Sequence, residues 1–315
     1  MRACVPVAAL LLAGLFHLDA PSALAQTRED CLACHSDSTL TKEGAGKKPI
    51  SLFADEAVLN KSTHAKLACV ACHTGFNPDD VPHKEKIEPV ACQRCHASAV
   101  FKHQFHRGAS RAVGSELRPG ALCKDCHGTH DVESPKNPGS KFSTGRLTES
   151  CGSCHTRAAA HFPSSAHGQA LATCVKGAPN CLTCHRGALA IVAGTTDSLS
   201  VKRAQEQLCL SCHRDDADVR ARTSQSAGFI AAYDQSVHGA ELLKGNAGAA
   251  NCVSCHGSHD MQKGSNPRSF VSRANIPATC ARCHADVART YGQSVHGAAV
   301  LKGNSDSPVC TTCHG

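Results

Sequence analysis

The chain has almost none of the large side chains that normally build a hydrophobic core. In 315 residues there is no tryptophan, there are two tyrosines and two methionines, and aromatic residues make up 3%. The apolar share of 41% is inflated by alanine and cysteine. A chain of this length would ordinarily fold into one to three domains around apolar cores. This chain must therefore pack around something other than its own side chains.

Long apolar runs are equally scarce. A prominent one lies at the start, where Arg2 precedes an apolar stretch at 5–16 and the small-residue sequence Ala-Leu-Ala at 23–25. This pattern predicts a secretory signal peptide over residues 1–25, because a membrane span needs about 20 apolar residues. We therefore expect an exported protein that works in the periplasm, at the cell surface or outside the cell.

Cysteine and histidine are abundant instead, with 22 and 21 copies. Twenty of the cysteines fall into ten copies of Cys-x-x-Cys-His, numbered here as sites 1 to 10 in chain order. These are CLACH (31–35), CVACH (69–73), CQRCH (92–96), CKDCH (123–127), CGSCH (151–155), CLTCH (181–185), CLSCH (209–213), CVSCH (252–256), CARCH (280–284) and CTTCH (310–314). An exported, cysteine-rich chain suggests disulfides, but this spacing is the attachment signature of c-type haem.

The chemistry requires these residue types at this spacing. Two cysteines three positions apart each form a thioether to a haem vinyl group, and the next histidine is the proximal ligand of the iron. Zinc is the rival interpretation, but zinc sites do not require a histidine directly after every second cysteine. We predict ten covalently bound c-type haems. The thioether cysteines are Cys31, Cys34, Cys69, Cys72, Cys92, Cys95, Cys123, Cys126, Cys151, Cys154, Cys181, Cys184, Cys209, Cys212, Cys252, Cys255, Cys280, Cys283, Cys310 and Cys313. The proximal ligands are His35, His73, His96, His127, His155, His185, His213, His256, His284 and His314.

Ten more histidines remain once the proximal ones and His17 of the signal peptide are set aside. The candidate distal ligands are His64, His83, His103, His106, His130, His161, His167, His238, His259 and His296. Equal numbers predict bis-histidine coordination of every iron, with hydrogen bonding to a haem propionate as the alternative role of each. Besides Met1 the only methionine is Met261. Since Met/His ligation raises the potential, we expect low-potential haems.

Sequence context supports several of these candidates. One context has a histidine fourteen positions before a site, a serine two positions before that histidine and an aromatic residue five before it, and it contains His167, His238 and His296. The motifs CHGTHD and CHGSHD contain His130 and His259, which we expect to reach a neighbouring iron. The aspartates that follow, Asp131 and Asp260, are candidates either for orienting a ligand imidazole or for surface turns.

With these motifs the chain resembles the multihaem c-type cytochromes of anaerobically respiring and metal-reducing bacteria, over nearly all of its length. Ten sites in this length are most similar to the small decahaem electron conduits of the periplasm or of extracellular filaments. The chain is too short for the β-domains of the large outer-surface decahaem reductases, and it lacks the CxxxxCH variants common in small tetrahaem cytochromes. The resemblance implies short helices and irregular loops wrapped around closely packed haems, with little or no sheet.

An internal duplication organises the chain. Aligning Cys123 with Cys252 carries sites 4, 5 and 6 onto sites 8, 9 and 10 without a gap. We predict a three-haem block over 26–105, a first copy with one additional linker haem over 106–234, and a second copy over 235–315. The sequence ends one residue after the last proximal histidine. A fragment truncated at this point is the favoured interpretation; self-association or a C-terminal partner is the alternative.

Glycine, proline, asparagine and serine interrupt the sequence too often for long elements. One helix is predicted from Ser200 as N-cap into Cys209, and another over 284–302 with interruptions at Gly292 and Gly297. The stretches 187–200 and 214–232 are predicted to be loops.

Electron transfer is the predicted function, with no enzymatic activity, because fully ligated irons leave no place for a substrate. The expected donor is a quinol-oxidising membrane complex or a periplasmic cytochrome, and the expected acceptor is an outer-membrane conduit, a terminal reductase or an extracellular acceptor. The formal charge of +7 gives no case for nucleic acid, because the haem propionates make the loaded protein acidic.

Two alternatives stay open. A multihaem reductase of nitrogen or sulfur oxyanions needs an open iron position; the nitrite reductases that the chain resembles carry CxxCK, which none of the ten sites has. A protomer of a cytochrome filament, or the haem-bearing arm of a membrane complex, is the structural alternative.

Overall fold

The computed structural model describes residues 27–84, 87–99, 106, 122–187, 189, 196–223 and 227–314. The predicted signal peptide and the candidate ligand His103 lie outside the described residues. Within these ranges the chain forms short helices and irregular loops with one two-stranded sheet, which confirms the predicted fold class. No helix among the described residues combines the length and the apolar character needed to cross a membrane.

The helices are short, and half of those described either carry a Cys-x-x-Cys-His motif or run into one. They are α1 Arg28–His35, α2 Glu56–Lys61, α3 Cys123–His127, α4 Leu147–Gly152, α5 Thr156–His161, α6 Ala166–Ala172, α7 Cys181–His185, α8 Ser198–His213, α9 Ala217–Arg222, α10 Ala227–Gln235, α11 Val237–Lys244, α12 Cys252–His256, α13 Ile276–Ala281, α14 Ala285–Gln293, α15 Val295–Leu301 and α16 Cys310–His314. Single 3₁₀ turns occur at Ala45–Lys47, Cys69–Ala71, Cys92–Arg94, Phe162–Ser164 and Arg273–Asn275.

The chain forms two compact units. One takes in Met1–Glu56 and Lys66–Val90, and the other takes in Ala57–Ala65 and Ala91–Gly315. The first unit therefore holds sites 1 and 2, and the second holds sites 3 to 10. The predicted boundaries of the haem blocks stay predictions.

In the first unit, α1 begins with a capping box. The Thr27 hydroxyl accepts the Asp30 amide proton at 3.4 Å, and the Asp30 carboxylate accepts the Thr27 amide proton at 2.7 Å, so two otherwise unsatisfied donors are bonded. Site 1 lies on this helix. Strands β1 (Thr41–Glu43) and β2 (Pro49–Ser51) pair antiparallel with Lys42 opposite Ile50.

Three local predictions were wrong. Helix α8 begins earlier than predicted, because the carboxylate of Asp197 accepts the amide protons of Leu199 and Ser200 and is the N-cap. The predicted loop at 214–232 contains α9 and most of α10. The predicted breaks at Gly292 and Gly297 are not breaks: Ser294 separates α14 from α15 and caps the second helix.

Few apolar side chains are buried. Among the described residues the buried hydrophobic ones are Leu32, Leu147, Ala204, Leu242, Ala249 and Val309. Buried polar side chains are at least as numerous: Ser62, Ser140, Ser143, Ser165, Asn251, Ser269, Ser272 and Ser307. Large apolar side chains such as Leu243 and Val295 are instead 81% exposed. This distribution is what a chain shows when a large apolar cofactor is needed to complete its core.

The duplication extends to individual hydrogen bonds. Buried Ser143 donates to the carbonyl of Pro138 at 3.0 Å, and at the equivalent position of the second copy Ser272 donates to the carbonyl of Pro267 at 3.3 Å. Ser140 and Ser269 likewise donate to the carbonyls of Glu133 and Gln262. In each copy these hydrogen bonds hold the loop between the first site and the second site.

Candidate functional site

Six proximal histidines face a spare histidine at nearly constant distance. The ring centroids are 5.9 to 6.1 Å apart in every pair. The pairs are His35 with His83, His96 with His64, His155 with His106, His185 with His259, His213 with His167, and His284 with His238. Each pair thus joins one Cys-x-x-Cys-His motif to one of the predicted distal ligands.

The common distance fits an iron held between two imidazoles. Two metal–nitrogen bonds of about 2 Å, plus about 1 Å from each nitrogen to its ring centroid, give about 6 Å. The rings differ in tilt from 12° to 54°, so the distance is shared although the orientation is not. The donor set therefore fits a bis-histidine haem.

Burial also suits ligation. It lowers the pKa of His167 and of His213, which face each other, and it lowers the pKa of His185, with a smaller contribution from facing His259. A lowered pKa favours the neutral ring, and only the neutral ring has a free nitrogen lone pair for a metal. His35 is oriented in addition by its Nδ1, which lies 2.7 Å from the carbonyl oxygen of Leu52.

Four of the pairs follow one rule: a histidine that precedes one site faces the proximal histidine of the next. His64, before site 2, faces site 3; His106, before site 4, faces site 5; His167, before site 6, faces site 7; and His238, before site 8, faces site 9. The repeated spacing of histidine and following motif therefore does not mark the two ligands of one iron. We call this rule the two-site stride, because each step of it advances by two sites.

Two pairs run in the opposite direction. His259, three residues after the proximal histidine of site 8, faces His185 of site 6. His83 follows site 2 and faces His35 of site 1. His259 therefore faces a proximal histidine other than that of its own motif, two sites earlier along the chain.

Three helices present a histidine in the same way, and we call α6, α11 and α15 the histidine helices. Each starts after a capping serine, Ser165, Ser236 or Ser294, whose hydroxyl accepts the amide proton of the glycine three residues later at 3.0 to 3.2 Å. The same hydroxyl donates to the carbonyl of the aromatic residue three positions earlier at 2.6 to 2.7 Å. The histidine between serine and glycine is therefore fixed at the first turn.

A close approach explains the glycine. In all three histidine helices a Cβ added at Gly168, Gly239 or Gly297 would overlap the carbonyl oxygen of that aromatic residue. Only glycine lets the first turn of the histidine helix lie this close to the backbone of the aromatic residue before it.

The segments with His64 and His167 are anchored by one further bond. The amide of Thr63 donates to the carbonyl of Val132 at 2.8 Å, and the amide of Ala166 donates to the carbonyl of Met261 at 2.7 Å. Val132 and Met261 occupy equivalent positions in the two copies, and each follows a CHGxHD motif. Each ligand segment therefore docks on the turn after the first site of a copy.

Successive sites interact alternately through their first cysteines and through their second cysteines. First cysteines interact, partly by hydrogen bonds, in sites 1 and 2, 3 and 4, 5 and 6, 7 and 8, and 9 and 10. Second cysteines lie close enough to interact in sites 4 and 5, 6 and 7, and 8 and 9. For the free thiols, burial and the neighbouring sulfur raise the pKa of Cys31 to about 11. Thioethers do not titrate, so this shift disappears once haem is attached.

Other predicted residues are placed differently. His161 and His296 are exposed, and within the described ranges no proximal histidine faces either ring. Asp131 accepts the amide proton of Thr129 at 3.0 Å and a proton from Lys141 at 2.8 Å, so its bonds are those of a turn residue. The ligand role of His130 stays a prediction.

Sequence reasoning missed two features. It did not anticipate the two-site stride, because the repeated context of His167, His238 and His296 marks how a histidine is held and not which iron it faces. It also missed the edge-to-face contact of Phe229, whose ring lies 5.9 Å from that of His256 at 90°; nothing in its local sequence marks this contact.

The family model described as a doubled CXXCH motif matches residues 239–289, which contain sites 8 and 9. Neither a curated protein nor a solved structure matches the chain. The doubled motif points to covalently bound c-type haem, and the match identifies the chain as similar to multihaem c-type cytochromes that carry electrons.

Proposed function

We propose that this protein conducts electrons along ten c-type haems, and that within each of the two units the haems follow the order of their sites along the chain. The ten Cys-x-x-Cys-His motifs supply the attachment points, and the facing histidines supply second axial ligands. Closed axial positions suit electron exchange, since no ligand has to leave or enter.

The alternating cysteine contacts carry this proposal. Each cysteine binds the edge of a haem through a vinyl group, so two adjacent sulfurs from different sites bring two haem edges together. First cysteines interact, with side-chain hydrogen bonds, between each odd site and the following even site. Second cysteines influence each other electrostatically between sites 4 and 5, 6 and 7, and 8 and 9. A row with this alternation gives every inner haem of the second unit two neighbours.

The histidine pairs set the redox level. Bis-histidine ligation gives lower potentials than Met/His ligation, and six facing pairs support it. A low-potential carrier exported by a signal peptide would take electrons from a quinol-oxidising membrane complex or a periplasmic cytochrome. It would pass them to an outer-membrane conduit, a terminal reductase or an extracellular acceptor.

An electrode experiment tests the linear order. The haem-loaded protein is attached through a tag after the signal peptide, and fast voltammetry counts the haems that exchange electrons. Changing Cys151 and Cys154 to alanine removes the haem of site 5. If the haems form a row, the electrode then loses fast electron exchange with the haems of all later sites. Changing Cys310 and Cys313 to alanine removes site 10 and costs only that haem.

Equal losses for the two variants would contradict a linear order. Mass spectrometry on the same samples establishes the number of haems attached to the wild type and the retention of the other haems in each variant.

A further inference from the structure

The two-site stride gives the last histidine helix, α15, a partner that the ten sites do not contain. His238 precedes site 8 and faces His284 of site 9, with the ring centroids 6.0 Å apart. His296 precedes site 10 in the same sequence context, so the stride pairs it with a proximal histidine beyond site 10, and the ten motifs provide none. Among the described residues of the second unit, which holds sites 3 to 10, no proximal histidine faces the ring of His296.

The backbone around His296 is nevertheless held in place. Ser294 accepts the amide proton of Gly297 at 3.2 Å, the distance that the corresponding bond has on α11. In addition, the hydroxyl of buried Ser307 donates to the carbonyl of His296 at 3.0 Å, whereas the segment after α11 has Ala249 in the position of Ser307. A ligand whose backbone is already fixed loses less entropy on binding.

Exposed apolar side chains accompany the ligand on both helices. On α11, Val237 and Leu243 are 75% and 81% exposed, and on α15 the equivalent Val295 and Leu301 are 81% and 79% exposed. Apolar side chains exposed next to a ligand fit a surface that a porphyrin or another protein covers. On α11 the histidine faces the proximal histidine of site 9 at the distance that a haem needs. Helix α15 offers the same pattern to a haem from elsewhere.

One charge distinguishes α15 from α11. On α11, Lys244 pairs with Glu241 at 3.0 Å. On α15, Ala299 stands in the position of Glu241, and Lys302, the equivalent of Lys244, forms no ion pair with any residue that the structure describes. An ammonium at the end of the ligand helix complements the negative propionates of a haem.

We infer that His296 ligates a haem of a partner cytochrome, namely a c-type haem that has a proximal histidine of its own and an open second axial position. Binding replaces the water on that ferric iron by the imidazole and forms one iron–nitrogen bond, so no electron is gained or lost. The inference rests on the proposed function and deepens it, since a haem bound at His296 gives the row a point of electron exchange with this class of partner.

A ferric haem peptide is the probe. It contains one Cys-x-x-Cys-His site with its haem, and the iron carries the proximal histidine and a water, which makes it high-spin. When the haem-loaded protein is added, one equivalent of the peptide per chain should become low-spin in EPR spectra, after subtraction of the spectrum of the protein alone. His296→Gln should lose that equivalent.

His161→Gln is the matched control, because His161 is also exposed and faces no proximal histidine in the described ranges. It should convert as much haem peptide as the wild type. Lys302→Gln should weaken binding of the peptide severalfold at low ionic strength, because it removes the charge that faces the propionates. Equal conversion by the wild type and His296→Gln would overturn the inference. Equal losses in His296→Gln and His161→Gln would also overturn it, since the peptide would then bind surface histidines in general.

The haem-loaded protein without the probe provides a further check. His296→Gln should contain the same number of high-spin haems as the wild type. One additional high-spin haem would mean that His296 ligates an iron of its own chain, and the inference would be wrong. Mass spectrometry and the electrode experiment on the same samples report on the attached haems and their order, so a failure of the proposed function is distinguishable from a failure of this inference.

Discussion

The histidine helices α11 and α15 are nearly identical in structure and differ in what they face. Both begin after a capping serine, and both place a glycine against the carbonyl of a tyrosine. The hydroxyl of Tyr233 donates to the carbonyl of Ala250 at 3.0 Å, and that of Tyr291 donates to the carbonyl of Pro308 at 2.8 Å. Yet His238 faces His284, whereas His296 faces no proximal histidine within the described residues. The local sequence therefore fixes how a ligand is held, and the choice of iron depends on distant chain segments.

Removing a facing ligand should have the largest effect. In His238→Ala the haem at Cys280 and Cys283 loses an axial ligand, so one low-spin haem should become high-spin in EPR and visible spectra of the oxidised, loaded protein. His161→Ala is the control, because no facing proximal histidine is described for it, and it should leave the spin state unchanged. Identical spectra for both variants would refute the assignment of His238 to site 9.

The glycine contact should come next. Gly239→Ala places a Cβ against the carbonyl of Tyr233, and we expect a loss of about 1–3 kcal/mol in the free energy of unfolding. Gly292→Ala, where a Cβ meets no atom within 4 Å, should stabilise the protein by about 0.5–1 kcal/mol. Denaturant unfolding of the loaded proteins measures both changes in the free energy of unfolding. If the two substitutions changed stability in the same direction, the close approach at Gly239 would not be rigid.

The tyrosine anchors should have a smaller effect. Tyr233→Phe and Tyr291→Phe each remove one hydrogen bond to a carbonyl, and each should cost about 1 kcal/mol. The equivalent residue in the first copy is Phe162, and Pro179 stands ahead of site 6 in the position that Pro308 has ahead of site 10. Phe162→Tyr should therefore gain stability in the same unfolding assay, and a loss would mean that the first copy packs differently there.

A surface ion pair should have the smallest effect. Lys141 lowers the pKa of Asp131 through a hydrogen bond at 2.8 Å, and the second copy has Phe270 at the equivalent position. Because the folded-state pKa is below the unfolded one, the stabilisation is present at neutral pH and is lost as the pH falls below about 4. Lys141→Met should cost less than about 1 kcal/mol at pH 7, since both side chains are partly exposed.

The difference between Lys141→Met and the wild type should narrow in unfolding curves recorded at decreasing pH. A difference that does not depend on pH would assign the effect to the lysine's packing rather than to its charge.

Much of the site was readable from the sequence because its chemistry is local. A Cys-x-x-Cys-His motif contains its own attachment chemistry, and Ser236, His238 and Gly239 contain their own cap, ligand and turn. The facing partner was not readable, since His238 and His284 are far apart along the chain, with site 8 between them, and are brought together by the intervening loops. The start of α8 was misplaced for a different reason. Asp197 and Ser200 are both good N-caps, and only the hydrogen bonds of the folded chain choose between them.

The two-site stride also constrains how such a chain can lengthen. Inserting a single site would interrupt the alternation at the point of insertion, because the stride supplies one facing histidine for every second site. Inserting an even number of sites leaves each ligand with an iron of the same kind. The duplication visible here obeys this parity, because it carries site 4 onto site 8. Chains built in this way would be expected to gain haems in pairs.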